Sequence, residues 1–462
     1  MKGQPSMLGP LEASMTSERM SPVDTAWLHM DEPENPADIV TLLSFDGRLS
    51  YDVLKRVVEE RLLKFDRFKQ RVTETDGHPT WEDDPEFQIE RHVLRYELDA
   101  PLTNDSLSRV VTDLANEKLS RDRPLWALHL IEGSEGGSAI VSRLHHCIAD
   151  GFALAHAMLT LTDRADGTPM SETLQPAEQG EHEPLLDVLV HEAAEVARHP
   201  SHAIGLAKQG AALALSLGHL LFVPFDRRTV LKPKLSGRRR MAWSSGLDLD
   251  TIKAIGRSRG ATVNDVLLSA LTGALRSFLQ EAGEPVDEFT IRAIIPVNLR
   301  PVRSIEEMDD SMGNRFGLVF LDLPVNEKTT ESRFRGLKER MDAMKGTPEA
   351  FVAFGILNAL GHTPATIEHI VNEVFGRKAS LVVTNVPGPR EPLYIDGVRL
   401  RDVMSWVPHP ARLGLGLAIL SYAGKVIVGV RVDEAVSKNP GRLVELFEEE
   451  ASSMFEKANT SY

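Results

Sequence analysis

The first part of the chain carries two kinds of apolar pattern. Apolar residues recur at helical spacing across Leu107–Leu114, which predicts an amphipathic helix with Asn104 or Asp105 as its N-cap. Two alternating or β-branched runs, Trp126–Glu132 and Ser138–Leu144, flank a turn rich in glycine and serine. Such a pair of runs predicts a β-hairpin. The segment therefore has the pattern of a mixed α/β unit.

The second half of the chain, from about Arg238 to the end, shows the same mixture. One helix is predicted to begin after Thr262, and Asn439-Pro440 opens a last one. The strands predicted for this half are Ile291–Val297, Leu318–Leu323, Leu381–Asn385, Leu413–Tyr422 and Lys425–Val432. Because helices and strands are mixed in both halves, the sequence predicts an α/β (α+β) fold with two units.

The two halves are separated by a segment of different composition. Residues 165–183 are polar and rich in turn-forming residues, as in an exposed linker. Two helices are predicted to follow, Leu185–Arg198 and Ala203–Leu221, with a break at His199-Pro200 because proline disfavours the helical conformation of the preceding residue. The predicted division is an N-terminal lobe (1–175), a linker with bridging helices (176–237) and a C-terminal lobe (238–462).

Length and charge narrow the class of protein. The chain has 462 residues, which is long for one core and suits two or three domains. Its net charge of −15 repels a polyphosphate backbone, so nucleic acid is not an expected partner. The single cysteine, Cys147, cannot form an internal disulfide, and we expect it to be a small buried residue rather than a nucleophile.

No segment has the pattern of a signal peptide or a transmembrane helix. The first twenty residues lack the apolar run that a signal peptide needs. The apolar segment Gly210–Phe225 is interrupted by Ser216, His219 and Pro224, and it is shorter than the ~20 residues that cross a bilayer. We therefore expect a cytoplasmic protein in which this segment lies in a membrane interface without spanning it.

The stretch from His145 to Gly151 combines groups that can carry chemistry. Strand alternation sends His145 and His146 to opposite faces, so their roles must differ. A histidine can act as a general base at neutral pH. His146 and Asp150 could instead ligate a metal, although no further ligands stand at a recognisable spacing, or they could be a structural histidine and a helix N-cap. The residues alone leave these three interpretations open.

The stretch His145–Gly151 resembles the HHxxxDG signature of the bacterial wax ester synthase/diacylglycerol acyltransferase family. This family is related to chloramphenicol acetyltransferase, plant BAHD acyltransferases and nonribosomal condensation domains. Further segments resemble other family elements in the same order: Met20–Asp24 (SPxD), Pro124–Trp126 (PLW), Asn264-Asp265 (ND), Pro296–Pro301 (PVNLRP), Gly313-Asn314 (GN) and Asn385–Pro389 (NVPGP). One departure is Cys147, where Ala or Ser is expected. The resemblance spans nearly the whole chain.

The resemblance implies two chloramphenicol acetyltransferase-like lobes, each a mixed sheet with flanking helices, with an active-site tunnel between them. His146 would be the general base that deprotonates a hydroxyl group of diacylglycerol or a fatty alcohol, which then attacks an acyl-CoA thioester. His145 would be supporting, and Asp150 with Gly151 would maintain the structure of the motif. In related superfamilies the equivalent acid pairs with an arginine from the other half of the chain, and Arg300 is the candidate.

Asn264 and Asp265 have two interpretations that are compatible with each other. Thr262 and Asp265 have the spacing of a capping box, so a purely structural role is open. The resemblance implies that Asn264 orients the histidine or a reacting oxygen, with a possible oxyanion role, while Asp265 caps the helix. No metal and no cofactor are expected, since acyl-CoA is a substrate.

A basic run between residues 227 and 240 is the densest group of lysines and arginines in the chain. We expect Arg238, Arg239 and Arg240 to bind the phosphates of CoA, because an acidic protein needs a local positive site for a polyanion. The same run, with the apolar helix before it, predicts peripheral binding to membranes or lipid droplets. Two other functions stay open: a condensation-type acyltransferase with a carrier-bound donor, and a non-catalytic lipid-binding protein of this fold.

Overall fold

The computed structural model describes residues 17–170, 215, 218, 220–300, 312–344, 347–363, 365–409 and 411–459. The predicted helix 185–198 and most of the predicted helix 203–221 lie outside these residues. The described chain is a mixture of helices and sheets, which confirms the predicted α/β class.

We number ten helices, apart from short 3-10 turns and the helical residues 220–222. They are α1 (Pro22–His29), α2 (Tyr51–Arg61), α3 (Asn104–Asn116), α4 (Gly151–Leu159), α5 (Leu249–Ser258), α6 (Val263–Glu281), α7 (Thr330–Met344), α8 (Glu349–Leu360), α9 (Ala365–Gly376) and α10 (Gly441–Asn459). The N-cap of α3 is Thr103, whose hydroxyl accepts from the backbone N–H of Ser106, so the prediction of Asn104 or Asp105 was wrong by one residue or two. Threonine at this position forms a reciprocal capping box with Ser106.

Sixteen strands occur in the described residues and form three sheets. In the first half they are β1 (Ser17–Arg19), β2 (Asp38–Phe45), β3 (Gln70–Thr75), β4 (His78–Asp83), β5 (Val93–Leu98), β6 (Trp126–Gly133) and β7 (Ser138–His145). In the second half they are β8 (Arg239–Trp243), β9 (Leu247–Asp248), β10 (Ile291–Asn298), β11 (Phe316–Leu323), β12 (Leu381–Pro387), β13 (Tyr394–Ile395), β14 (Val398–Trp406), β15 (Leu415–Tyr422) and β16 (Lys425–Asp433).

The sheet of the N-terminal lobe has the order β13-β14-β2-β7-β6-β5. Strands β6 and β7 pair antiparallel, with Trp126 opposite Leu144, which confirms the predicted hairpin. Strands β13 and β14 come from the second half of the chain, and β14 pairs antiparallel with β2. The predicted boundary at residue 238 therefore needs a correction, because residues 394–406 return to the first lobe and satisfy the hydrogen bonds that an open edge of β2 would leave unpaired.

The sheet of the C-terminal lobe has the order β11-β10-β12-β15-β16-β8, and β9 pairs with β16 as well. Strands β10, β12 and β15 are parallel neighbours, and the other pairs on this path are antiparallel. Helices α6 and α10 contribute apolar residues to the core on one face of this sheet. Its other face lies against the N-terminal lobe. The candidate site lies at this junction between the two lobes.

Candidate active site

The turn from β7 into α4 carries the residues of the HHxxxDG motif. His145 is the last residue of β7 and lies opposite Asp38 of β2, while His146 begins the turn. Asp150 is the N-cap of α4, and its Oδ1 accepts hydrogen bonds from the backbone N–H groups of Phe152 and Ala153, both at 3.0 Å. The acid therefore fixes the position of the turn, since a capped helix end satisfies otherwise unpaired backbone donors.

The second carboxylate oxygen of Asp150 reaches the other half of the chain. Asp150 Oδ2 contacts Nη1 of Arg300 and accepts a 2.8 Å hydrogen bond from the backbone N–H of Arg315. Arg300 Nη2 donates to the backbone carbonyl of Gly313 at 2.8 Å. Asp150 and Arg300 are both buried. The structure thus brings together the acid and the arginine that the sequence analysis paired, as a buried charge pair across the lobes.

A second connection between the lobes uses two residues to which the sequence analysis assigned no role. Asn314 Nδ2 donates to Asp24 Oδ1 at 2.8 Å and to the backbone carbonyl of His146 at 2.9 Å. Burial raises the pKa of Asp24, and the hydrogen bonds from Asn314 partly oppose this shift. The available signal was the order of the family elements, because Asp24 ends the SPxD element and Asn314 belongs to the GN pair.

His146 lies among aromatic rings. The Trp27 ring stacks on it, with centroids 3.8 Å apart and planes 15° apart, and Phe316 lies tilted at 5.7 Å. The Nδ1 atom is buried and has no hydrogen-bond partner among the described residues. Burial lowers the pKa of His146 to about 4, although the Asp150 charge opposes this. The ring is therefore neutral near pH 7, which is the form that can accept a proton.

His145 has different surroundings. Its Nδ1 accepts from the backbone N–H of Cys147 at 3.1 Å, and its Nε2 lies 3.7 Å from Oδ2 of Asp31. Burial lowers the pKa of His145, but Cys147 and Asp31 raise it more, so that it lies above its usual range. Burial raises the pKa of Asp31, but His145 and Arg121 lower it by more, so that it lies below its usual range. Both ring nitrogens of His145 thus face protein groups.

A cavity of about 780 Å³ contains His146. One face of the C-terminal sheet forms a wall of this cavity, because alternate residues along a strand point to the same side. The wall residues are Ile294, Pro296 and Asn298 of β10 and Val382, Thr384 and Val386 of β12. Gly151, at the start of α4, lines the opposite lobe. A Cβ at Gly151 would meet no atom within 4 Å, so this position leaves room beside His146.

Two further cavities adjoin the one that contains His146. The first, of about 880 Å³, shares with it Gly151, Thr384, Val386 and Val407. The second, of about 790 Å³, shares Trp27, Ile294 and Leu318. Both are lined mainly by aliphatic and aromatic side chains. We call them the glycine-side arm and the tryptophan-side arm. The base candidate therefore stands between two apolar spaces, each suited to a hydrocarbon chain.

Asn264 and Asp265 do not line the cavity around His146. Asp265 lies in a capping box with Thr262, whose backbone N–H donates to Asp265 Oδ2 at 2.8 Å. Asn264 is exposed, and its Oδ1 contacts the side-chain amide of Asn385, which does line the cavity. The structure therefore separates Asn264 from the reacting groups by one intervening residue.

The three arginines that were expected to bind CoA do not face one surface. Arg239 is buried, its guanidinium contacts the backbone carbonyl of Glu34, and it lies 3.2 Å from Asn35 Oδ1. Arg238 and Arg240 are exposed or half-buried, and both approach Glu434. The expectation for Arg239 is corrected, because strand alternation turns its side chain into the protein. None of the three lines the cavity around His146.

The described residues contain no group of three or more His, Cys, Asp or Glu side chains that could hold a metal ion. In the same part of the chain, no helix has both the length and the apolar character needed to cross a membrane.

Two family profiles match successive parts of the chain. The wax ester synthase/diacylglycerol acyltransferase catalytic domain matches residues 20–267, and the WS/DGAT C-terminal domain matches residues 312–454. The chain belongs to the WS/DGAT family. His146, Asp150, Asp24 and Trp27 lie within the catalytic-domain match, whereas Asn314 and Phe316 lie within the C-terminal match.

Two curated relatives of this WS/DGAT chain come from Mycobacterium tuberculosis. The protein tgs1 of Mycobacterium tuberculosis H37Rv, named as a diacylglycerol O-acyltransferase, is 29% identical over 396 residues, which is 83% of each chain. The protein tgs2 of the same strain, with the same activity in its name, is 29% identical over 439 residues, covering 89% of this chain and 93% of that protein.

Solved structures show the same fold. The wax ester synthase/diacylglycerol acyltransferase from Marinobacter aquaeolei VT8 superposes with a TM-score of 0.67 at 21% identity, over 96% of this chain and all of the other. The starter condensation domain of rhizomide synthetase, solved as a mutant in complex with C8-CoA and Leu-SNAC, gives a TM-score of 0.59 at 14% identity, over 96% of this chain and 95% of that one. The WS/DGAT and condensation-domain folds are therefore both represented among its neighbours.

Proposed function

We propose that this WS/DGAT chain is an O-acyltransferase that transfers a long-chain acyl group from acyl-CoA to diacylglycerol, a long-chain alcohol or both. The observation that carries the proposal is the position of His146, a buried neutral imidazole in a cavity with an apolar arm on either side. The reaction needs a base between two hydrocarbon substrates, and this arrangement provides one.

In this mechanism His146 removes the proton of the acceptor hydroxyl as its oxygen attacks the thioester carbonyl. Because Nδ1 is buried, Nε2 is the nitrogen we assign to this step. The tetrahedral intermediate collapses, the C–S bond breaks, and the protonated imidazole returns its proton to the CoA sulfur. The Asp150–Arg300 pair holds the turn that carries His146, and Asn314 holds its backbone carbonyl.

The two arms support long-chain substrates. Each is lined mainly by apolar side chains, so a buried chain gains roughly 0.8 kcal/mol per methylene removed from water. A polar acceptor such as an amino acid has no hydrocarbon chain to pack against these apolar side chains. This favours a lipid acyltransferase over a condensation-type enzyme with a polar acceptor.

The proposed activity is tested by incubating the purified protein with radiolabelled palmitoyl-CoA and either dioleoylglycerol or hexadecanol. We expect labelled triacylglycerol, labelled wax ester or both, formed at least about a hundredfold more slowly by His146→Ala protein. Transfer only from a palmitoylated carrier protein would favour the condensation-type alternative. Specific binding of both lipids without any transfer would favour the non-catalytic alternative.

Peripheral docking to a lipid surface is a second part of the proposal, and the distribution of exposed apolar side chains supports it. Among the described residues, the large exposed apolar side chains all lie on α8, α9 and the segment 215–225; they are Leu215, Leu221, Phe222, Phe225, Phe351, Ile367, Ile370 and Val374. Helix α9 also lines the tryptophan-side arm, through Val371 and Phe375. A helix whose apolar surface extends from a cavity to the solvent is typical of one that meets both protein and lipid.

Positive charges flank this apolar surface. The guanidinium of Arg377 lies 4.5 Å from the centroid of the Phe225 ring, and Arg227 is partly exposed two residues further along. Cations beside apolar side chains favour anionic lipid headgroups. The tryptophan-side arm lies beneath this surface, so a lipid acceptor would reach His146 from it.

Cosedimentation with vesicles of phosphatidylglycerol and phosphatidylcholine tests the docking surface. We expect binding at low salt that Phe222→Glu or Ile370→Glu reduces severalfold. Gln88→Glu adds the same charge at an exposed position of the other lobe and is the matched control. Equal binding of all variants would place the membrane contact elsewhere.

A further inference from the structure

The cavity around His146 contains a hydrogen-bond donor whose orientation the backbone determines. The side-chain oxygen of Asn298, at the end of β10, accepts a 3.0 Å hydrogen bond from the backbone N–H of Arg300. In a side-chain amide only the oxygen can accept a hydrogen bond, so the Asn298 oxygen faces the Arg300 N–H and Nδ2 points away from it. Asn298 lines the cavity, and Nδ2 has no recorded hydrogen-bond partner in the part of the chain that the structure describes.

We propose that Asn298 Nδ2 donates to the oxyanion of the tetrahedral intermediate and is a catalytic residue of the acyl transfer. The inference rests on the proposed function, because the oxyanion exists only in an acyl transfer. When the acceptor oxygen bonds to the thioester carbon, the C=O π electrons move to the carbonyl oxygen. Asn298 Nδ2 donates to that oxygen until the C=O bond re-forms and the C–S bond breaks.

The other polar side chains of the cavity are less suited to this role. Both carboxylate oxygens of Asp150 are occupied and carry negative charge. The amide of Asn385 already uses one of its two N–H donors on Asn264 Oδ1, so only the second is available. Thr384 has a hydroxyl that can rotate, whereas the amide of Asn298 is held in place. A donor that is oriented before the reaction stabilises developing charge without reorganisation.

The position of Asn298 also connects it to the structure that holds His146. Arg300, whose backbone orients the amide, places its guanidinium on Asp150 and on the carbonyl of Gly313. One short segment after β10 thus orients the donor and also clamps the turn that carries the base. The base and the donor are held in the same cavity from the two lobes.

The decisive variant is Asn298→Asp. A carboxylate can still accept from the Arg300 N–H, so the local backbone keeps its hydrogen bond, but the donor is lost. Removing one oxyanion donor lowers kcat by about 10²- to 10³-fold, and we expect this for Asn298→Asp and Asn298→Ala with each KM within a few-fold of the parent. Asn385→Asp makes the same change in the same cavity, and we expect a smaller loss of kcat.

A binding measurement separates this role from a structural one. A phosphonate analogue of the thioester carries a tetrahedral anion, whereas an S-alkyl CoA thioether does not. Transition-state mimics bind more tightly than ground-state mimics, and we expect Asn298→Ala to weaken phosphonate binding by 10-fold or more and thioether binding by less than about threefold.

Three outcomes would overturn the assignment: a kcat of Asn298→Asp within a few-fold of the parent, an equal loss for Asn385→Asp, or equal weakening of both analogues. If the parent protein transfers no acyl group to any acceptor, the proposed function fails. If the parent is active and the Asn298 variants match it, the function stands and this assignment fails.

Discussion

His145 and His146 are neighbours in the chain and lie in opposite electrostatic regions. His145 faces a polar pocket of about 940 Å³ that Asp31, Asp38 and Arg121 also line, while His146 faces the apolar cavity with Trp27. The His145 ring accepts a hydrogen bond at Nδ1 and has a carboxylate oxygen 3.7 Å from Nε2, whereas the His146 ring is stacked on Trp27 and its Nδ1 has no partner among the described residues. The pair shows that two adjacent residues at the end of a strand can face different surroundings, so that one is a supporting histidine and the other a candidate base.

The comparison also shows why burial alone does not determine the chemistry of a histidine. Both rings are almost completely buried. Burial lowers the pKa of both, but neighbouring groups, Asp31 among them, reverse the direction for His145, and nothing near His146 is strong enough to do so. The neutral imidazole of His146 can accept a proton at pH 7.

The largest expected effect is on the His146 side. His146→Ala removes the base, so kcat should fall by about 10²- to 10⁴-fold, the usual contribution of a positioned general base. Steady-state kinetics with palmitoyl-CoA, together with circular dichroism to show that the protein is folded, provides the measurement. A folded His146→Ala enzyme with a rate within a few-fold of the parent would contradict the base assignment.

The next largest effect is expected for the Asp150–Arg300 pair, which holds the turn that carries His146. Breaking a buried charge pair typically costs about 3–5 kcal/mol, so Asp150→Asn and Arg300→Ala should each lower the free energy of unfolding as well as activity. Because the two side chains are in contact, the double variant should show a coupling of about 0.5–3 kcal/mol in a double-mutant cycle measured by urea unfolding. Additive losses would mean that the pair does not act as a unit.

The His145 side should respond through stability. His145→Asn leaves Asp31 and the Cys147 N–H with a shorter partner, so we expect a loss of about 1–3 kcal/mol in the free energy of unfolding and a change in kcat of less than tenfold. Asp31→Asn should resemble it. A drop in kcat as large as that of His146→Ala, in a protein of normal stability, would make the two histidines equivalent.

The smallest effect is expected in the pH dependence. The pKa of His146 is about 4, so the base is unprotonated above that value and kcat/KM should stay nearly constant from pH 7 down to pH 5. An acid limb with a midpoint near 6.5 would indicate an unperturbed histidine. Since this pKa is lowered on folding, the unfolded chain binds more protons between pH 4 and about 6.5. His146 thus contributes stability that is lost as the pH falls through this window, and His146→Gln should remove that part of the pH dependence of urea unfolding.

Much of the local structure was predictable from the sequence. Alternation separated His145 from His146, the apolar runs predicted the β6–β7 hairpin, and Thr262 with Asp265 indicated a capping box. The ordered family elements indicated the fold class and the family, and they pointed to Arg300 as the partner of Asp150. These features depend on residues close together in the chain or on a motif that resembles a known one.

Other features depend on contacts that no local pattern contains. Asp24 and Asn314 are 290 positions apart, and β14 reaches the first lobe only after crossing from the second. The expectation for Arg239 was wrong. A run of charged residues predicts an exposed segment, but Arg239 lies on β8 with its side chain buried. The orientation of Asn298 and the pKa of His146 follow from a single backbone N–H and from the apolar rings around the base. The sequence by itself determined which residues are adjacent, and the tertiary structure decided which of them lose water, because desolvation and cross-lobe pairing depend on both lobes being in place.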